Sequence, residues 1–127
     1  MINTSEESAL SRLFVVGINY RQSTAAERSL FSAGKMVQEN ILSAAKQSGL
    51  CSVFLLSTCN RTELFAYAAD ESILIELLVT YSKGSIGLFN KSGFVKRGSE
   101  ALNHLFNLAS GLESQIVGDN EVLGQLK

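Results

Sequence analysis

Ser52-Val53-Phe54-Leu55-Leu56-Ser57, then Thr58-Cys59-Asn60-Arg61-Thr62, then Glu63-Leu64-Phe65-Ala66-Tyr67-Ala68-Ala69 is the stretch that decides the fold. A short apolar run flanked by polar residues suits a central strand buried on both faces. A second β-prone run follows after only a handful of residues. The two are therefore expected to pair as an antiparallel hairpin, with residues 58–62 as the connection.

Upstream, Leu13 to Tyr20 (LFVVGINY) is β-rich and reads as a first strand. A short helical turn is expected around Ala25 to Phe31. Gly34 to Gln47 then places Met36, Val37, Ile41, Leu42 and Ala45 at helical spacing, and Ser48-Gly49 closes that helix. Downstream, Asp70 or Ser72 can cap a helix running to about Ser82, with Ile73, Leu74, Leu77, Leu78 and Tyr81 as its inner stripe. Lys83 to Gly93, rich in glycine and serine, reads as a loop, and Phe94 to Arg97 as a short fourth strand. The order β-α-β-β-α-β predicts an α+β domain of the ferredoxin-like split βαβ kind. Additional C-terminal helices are expected over Ser99 to Leu112, with Ser99 as N-cap and Ala101, Leu105, Leu108, Ala109 and Leu112 on one face, and from near Asp119 to Lys127.

Composition agrees with one compact unit. The chain has 127 residues, 46% of them hydrophobic and 18% charged, the profile of an ordinary globular domain. Residues 1–12 are read as a flexible polar lead-in and residues 13–127 as the domain. A net charge of −1 gives no global basic footprint for a nucleic-acid backbone. Neither a signal peptide nor a transit peptide matches the start, and the apolar runs are far short of the roughly 20 residues of a membrane span, so a cytoplasmic location is expected. Two cysteines without a further ligand cluster make a disulfide scaffold or a structural metal site a poor reading.

Cys59 stands out because it lies in a polar turn launched from a buried strand, where a rigid scaffold presents reactive groups. A nucleophilic cysteine works as its thiolate, and Arg61 can stabilise that anion or bind a carboxylate through its planar fork. Local features alone favour the plainer reading of Cys59 as a small residue filling a corner of the core. A disulfide to Cys51 is not expected, because residues 52–57, if extended, separate the two by about 20 Å. His104, the sole histidine, lies about 100° from the centre of its helix's apolar face and is expected to border the core. It is the natural acid/base candidate, although a half-exposed structural histidine is the plainer reading. Gly111, Gly118 and Gly124 make no dinucleotide fingerprint, so no cofactor site is expected in this chain.

Several segments together resemble the N-terminal domain of glutamyl-tRNA reductases. Ser57-Thr58-Cys59-Asn60-Arg61-Thr62-Glu63 matches the family's S-T-C-N-R-x-E signature in full. His104-Leu105-Phe106 with Ala109-Ser110-Gly111-Leu112-Glu113-Ser114 is a second match, and Gly118 to Lys127 resembles G-E-x-Q-I-L-G-Q-V-K. Gly17-Ile18-Asn19-Tyr20-Arg21 with Arg28 downstream is a weaker one.

The resemblance implies that Cys59 attacks the ester carbonyl of glutamyl-tRNA and forms a thioester, which NADPH then reduces to glutamate-1-semialdehyde, the precursor of tetrapyrroles. It further implies that Arg61, Ser114 and Gln125 contact the glutamate, that Thr58 and Asn60 shape the pocket, and that His104 assists proton transfer or positions groups near the thiol. NADPH would be bound by a domain missing from this chain. The parent would be a homodimer that hands its product to glutamate-1-semialdehyde aminomutase. Tyr20 stands where many members carry His, Gln22-Ser23-Thr24 follows without the usual proline, and Asp119 replaces a Glu. Two other classes remain open: a relative that binds glutamate or glutamyl-tRNA without turnover, and a purely structural ferredoxin-like module.

Overall fold

The computed structural model describes residues 9–110. Its strands are β1 (Leu13–Asn19), β2 (Cys51–Thr58), β3 (Arg61–Tyr67) and β4 (Gly93–Arg97). Its helices are α1 (Ala25–Phe31), α2 (Lys35–Gln47), α3 (Ser72–Tyr81), α4 (Ile86–Ser92) and α5 (Ser99–Ala109). The sheet order is β2-β3-β1-β4, with every neighbouring pair antiparallel. This is the ferredoxin-like split βαβ arrangement expected from the sequence, so the α+β class holds.

Two apolar layers explain why the strands bury both faces. Phe14, Val16, Ile18, Leu64 and Ala66 pack with Phe31, Ile41, Leu74, Leu78 and Phe89 on one side. Leu13, Val15, Leu56 and Phe65 pack with Ala101 and Leu108 of α5 on the other. β1 is buried along its whole length because it runs through the middle of both layers. The residues expected to form a central strand, 52–57, instead belong to β2 at the sheet edge. Leu55 and Leu56 are buried there because helices cover both faces, which imitates the apolar run of a central strand.

Several boundaries differ from the expectation. β2 and β3 are longer toward each other than their apolar runs suggest, since Thr58 pairs with Arg61 and only Cys59 and Asn60 remain as the connection. Strand pairing extends through polar residues because backbone groups, not side chains, make the ladder. The stretch expected as a loop contains α4. Ser85 caps it by accepting from the Leu88 N–H at 3.1 Å, and Phe89 is buried with its ring edge-on to Phe31 at 6.4 Å. On α2, Ile41 and Ala45 face inward, but Met36 and Leu42 are exposed, so the inner stripe is narrower than the apolar spacing indicates. Tyr81 of α3 is likewise exposed. Gly98, with φ of 64°, is the N-cap of α5 in place of Ser99, and Ala109 is exposed. Leu112 and the expected last helix lie outside the described residues. No single described helix is long and apolar enough to cross a membrane.

Gly17 is the tightest point in the sheet. It pairs with Glu63, and a Cβ there would stand 2.4 Å from the Thr62 carbonyl oxygen and 2.9 Å from the Glu63 Cα. Backbone atoms in a central strand pair have nowhere to retreat. Gly17→Ala is therefore expected to cost about 3 kcal/mol of stability, at the upper end of ordinary overpacking. Urea unfolding measures it, and a loss under about 1 kcal/mol would show that the strands can part there.

Candidate active site

The β2–β3 turn presents Cys59 at its tip, and the side chain is exposed. That excludes the reading of Cys59 as core filler. A two-residue hairpin turn prefers positive φ at its central positions, which neither Cys59 nor Asn60 adopts. The turn is held by outside groups instead. The Tyr20 N–H donates to the Asn60 carbonyl at 3.0 Å, and Arg28 Nε donates to the Cys59 carbonyl at 3.3 Å. Thr58 Oγ1 accepts from the Asn60 N–H at 3.2 Å, the local closure threonine favours in turns. Ser57 Oγ accepts from the Ala33 N–H and lies 3.0 Å from Thr62 Oγ1, which ties the strand ends to the loop before α2.

Beside Cys59 is a hollow of about 400 Å³ lined by Arg28, Ser29, Ser32, Ser57 and Thr58. A larger hollow of about 600 Å³ lies near Tyr67 and Asp70, at the opposite end of the hairpin and far from the thiol in register. The smaller hollow is the candidate site, because the exposed Cys59 thiol lines it.

Alternation along β3 sends Arg61, Glu63 and Phe65 to the α5 side of the sheet and Thr62, Leu64 and Ala66 to the other. Arg61 is therefore buried, with 1% of its surface exposed, and Nη1 donates to Glu63 Oε2 at 3.0 Å. Its guanidinium carbon is 5.7 Å from the centre of the Tyr20 ring, within cation–π range. Tyr20 thus touches both the turn and Arg61. The guanidinium that reaches the Cys59 backbone belongs to Arg28, which also donates to the Ser23 carbonyl at 2.8 Å.

His104 does not border the core, as its helical angle suggests, but is buried at 7% exposure. Ala101, His104 and Leu108, spaced three and four residues apart, form the buried stripe of α5. Nε2 lies 2.6 Å from Glu63 Oε1, Nδ1 lies 3.2 Å from Lys96 Nζ, and the ring sits between Phe65 and Phe94. An ammonium therefore faces Nδ1 and a carboxylate faces Nε2.

The structure thus brings Thr58, Cys59, Asn60 and Arg61 onto one hairpin and joins Arg61 to His104 through Glu63. Ser114 and Gln125, as well as Asp119, lie outside the described residues. The sequence reading assigned no role to Glu63 or Lys96. Glu63 had a legible signal, since it stands two residues from Arg61 on the same strand face; Lys96 had none, because its contact with His104 spans β4 and α5. Among the described residues, no group of three or more His, Cys, Asp and Glu is placed to hold a metal ion.

α1, which carries Arg28, is anchored by a capping box. Thr24 Oγ1 accepts from the Glu27 N–H at 3.1 Å, and Glu27 Oε1 accepts from the Thr24 N–H at 2.9 Å. Glu27 Oε2 also accepts from Ser92 Oγ at 3.1 Å and pairs with Lys91 at 3.4 Å, which links α1 to α4. The Thr24 N–H bond holds the Glu27 carboxyl below its ordinary value of 4.5; burial opposes this, and Ser92 and Lys91 reinforce it. A depressed folded-state pKa stabilises above the unfolded value and is lost as pH falls through the folded one. The melting-temperature gap between the parent and Glu27→Gln is thus expected at neutral pH and to close as pH drops below 4.5. A gap that stayed constant would rule out the carboxylate as its source.

Comparison with known proteins supports a common origin. The family model described as the glutamyl-tRNA(Glu) reductase N-terminal domain matches residues 16–127. The glutamyl-tRNA reductase of Flavobacterium psychrophilum is 40% identical over 114 residues, covering 90% of this chain and 28% of that protein. Glutamyl-tRNA reductase 2 of Flavobacterium johnsoniae is 38% identical, over 90% of this chain and 26% of its own length. The chain therefore spans little more than a quarter of these relatives. The solved glutamyl-tRNA reductase from Methanopyrus kandleri superposes with a TM-score of 0.65 at 34% identity, covering 91% of this chain and 26% of that one. A shared fold, the full cysteine motif and this identity over nine-tenths of the chain lead to one conclusion: the chain belongs to the glutamyl-tRNA reductase family and corresponds to its N-terminal domain.

Proposed function

We propose that this chain performs the acyl-transfer half of glutamyl-tRNA reduction, the entry to tetrapyrroles by the C5 pathway. The Cys59 thiolate attacks the ester carbonyl of glutamyl-tRNA, a C–S bond forms, and the C–O bond to the terminal ribose breaks. The ribose oxygen leaves with a proton, and a glutamyl thioester remains on Cys59. Splitting one hard step into two easier ones is what covalent catalysis achieves, and a thioester accepts hydride better than an oxygen ester does. The observation that carries this reading is an exposed thiol on a turn whose two carbonyls are both tied down. Arg61 holds the glutamate carboxylate, with Thr58 and Asn60 shaping the turn and Ser114 and Gln125 as further contacts.

The reductive half uses NADPH in this proposal, but among the described residues no strand-to-helix connection fits that cofactor. The connection from β1 to α1 and that from β3 to α3 contain no glycine, and β4 reaches α5 through Gly98 alone. Reduction, dimer formation and delivery to an aminomutase belong to the full-length architecture in this reading.

A second reading, a relative that binds glutamate or glutamyl-tRNA without turnover, draws support from His104. Both of its ring nitrogens are engaged inside the fold, by Glu63 and Lys96. Intact-mass measurement after incubation with glutamyl-tRNA separates the two. A hydroxylamine-labile glutamyl adduct on the peptide containing Cys59 is expected; an unmodified chain, or an adduct elsewhere, would overturn the acyl-transfer reading.

A further inference from the structure

Glu63 has 0% exposure and sits at the centre of a line of four side chains. Oε2 accepts from Arg61 Nη1 at 3.0 Å, Oε1 lies 2.6 Å from His104 Nε2, and Lys96 Nζ lies 3.2 Å from His104 Nδ1. A carboxylate is the only side chain with two acceptor oxygens and no donor, which these two partners require. Space for it is made by Gly17, whose Cβ would come within 3.0 Å of Glu63 Cγ. Burying a carboxylate is costly unless it is paired and hydrogen-bonded, and both conditions are met.

We propose that Glu63 is a positioning residue that orients the Arg61 guanidinium with one oxygen and holds His104 in the Nε2–H form with the other. The inference rests on the reading of Arg61 as the glutamate ligand for its functional meaning, but its core claim concerns the state of His104. Lys96 opposes the other tautomer, because an Nδ1–H would face an ammonium. An ion pair on one edge fixes the orientation of the guanidinium before any ligand arrives, which reduces the ordering that binding must supply.

Glu63→Gln tests this. A glutamine offers one acceptor and one donor, so it cannot serve both partners. Its oxygen is expected to stay with the charged Arg61, leaving its NH₂ toward His104 Nε2, which must then become an acceptor. Nitrogen-15 imidazole spectra read this directly, because His104 is the single histidine of the chain. The parent is expected to show protonated Nε2 and unprotonated Nδ1, and the variant a shift of population to Nδ1–H. A folded Glu63→Gln variant with the parent's tautomer would overturn the proposal. Lys96→Met covers the case in which that variant fails to fold. It is expected to keep the Nε2–H form, because Glu63 alone suffices, and a loss of that form would assign the role to Lys96 and overturn the proposal as well.

Glutamate titration monitored at the Arg61 side chain is a separate arm. The parent is expected to respond, and Glu63→Gln to need about tenfold more glutamate, the effect of losing one charge-assisted hydrogen bond. Silence in the parent would sink the glutamate-ligand reading, and the imidazole spectra would still decide the claim about Glu63.

Discussion

Cys59→Ala is expected to lower deacylation of glutamyl-tRNA by about a thousandfold or more, because removal of a covalent nucleophile leaves only binding and polarisation. Cys59→Ser is expected to fall nearly as far, since a hydroxyl is a far weaker nucleophile than a thiolate unless a base activates it. The ring nitrogens of His104, the candidate base, face Glu63 and Lys96 instead. Because the side chain is exposed, both variants should unfold within about 0.5 kcal/mol of the parent. That pairing of results, a large kinetic loss with unchanged stability, distinguishes a nucleophile from a structural thiol. A Cys59→Ser chain that deacylated the tRNA as fast as the parent would sink the assignment.

The second large effect is on stability. Arg61 and Glu63 form an ion pair at 3.0 Å with 1% and 0% of their side chains exposed. Removing one partner leaves the other as an uncompensated buried charge, which typically costs about 3–5 kcal/mol. Arg61→Met keeps the aliphatic stem and removes the charge, so its expected loss is in that range. The double variant Arg61→Met with Glu63→Gln should recover at least half of it, because the orphaned charge is gone. Urea unfolding of the four chains gives the coupling. A single-variant loss below about 1 kcal/mol would mean that water reaches Glu63 once the guanidinium is absent.

These two predictions meet at one hairpin and concern its opposite sides. Cys59 faces the hollow next to α1, while Arg61 and Glu63 face α5. In the proposed reading, a glutamyl ester held by its carboxylate at Arg61 reaches across the turn to place its carbonyl at the thiol. The anchoring of both turn carbonyls, by Tyr20 and Arg28, gives that approach a fixed target.

The βαββαβ order, the hairpin and the turn that carries Cys59 were legible in the residues, because each rests on local periodicity or turn composition, whereas the exposure of the thiol was not. α4 was hidden because its glycine and serine content reads as loop, while its stability comes from the Ser85 cap and the burial of Phe89 against Phe31. The placement of β2 at the edge was hidden for a related reason: an apolar run reports that both faces are covered, not which neighbours the strand has.

By itself, the sequence determined the class of fold and put the candidate thiol on a turn, since both follow from short-range pattern and a specific motif. Tertiary structure alone decided what surrounds that thiol. Arg28 arrives from 31 residues upstream, and His104 meets Glu63 across 41 residues. No local period encodes such contacts, because they exist only after the sheet has put β3 between β1 and β2 and α5 has closed over its face. His104, read from helical angle as a residue at the margin of the core, became the buried partner of a carboxylate for that reason.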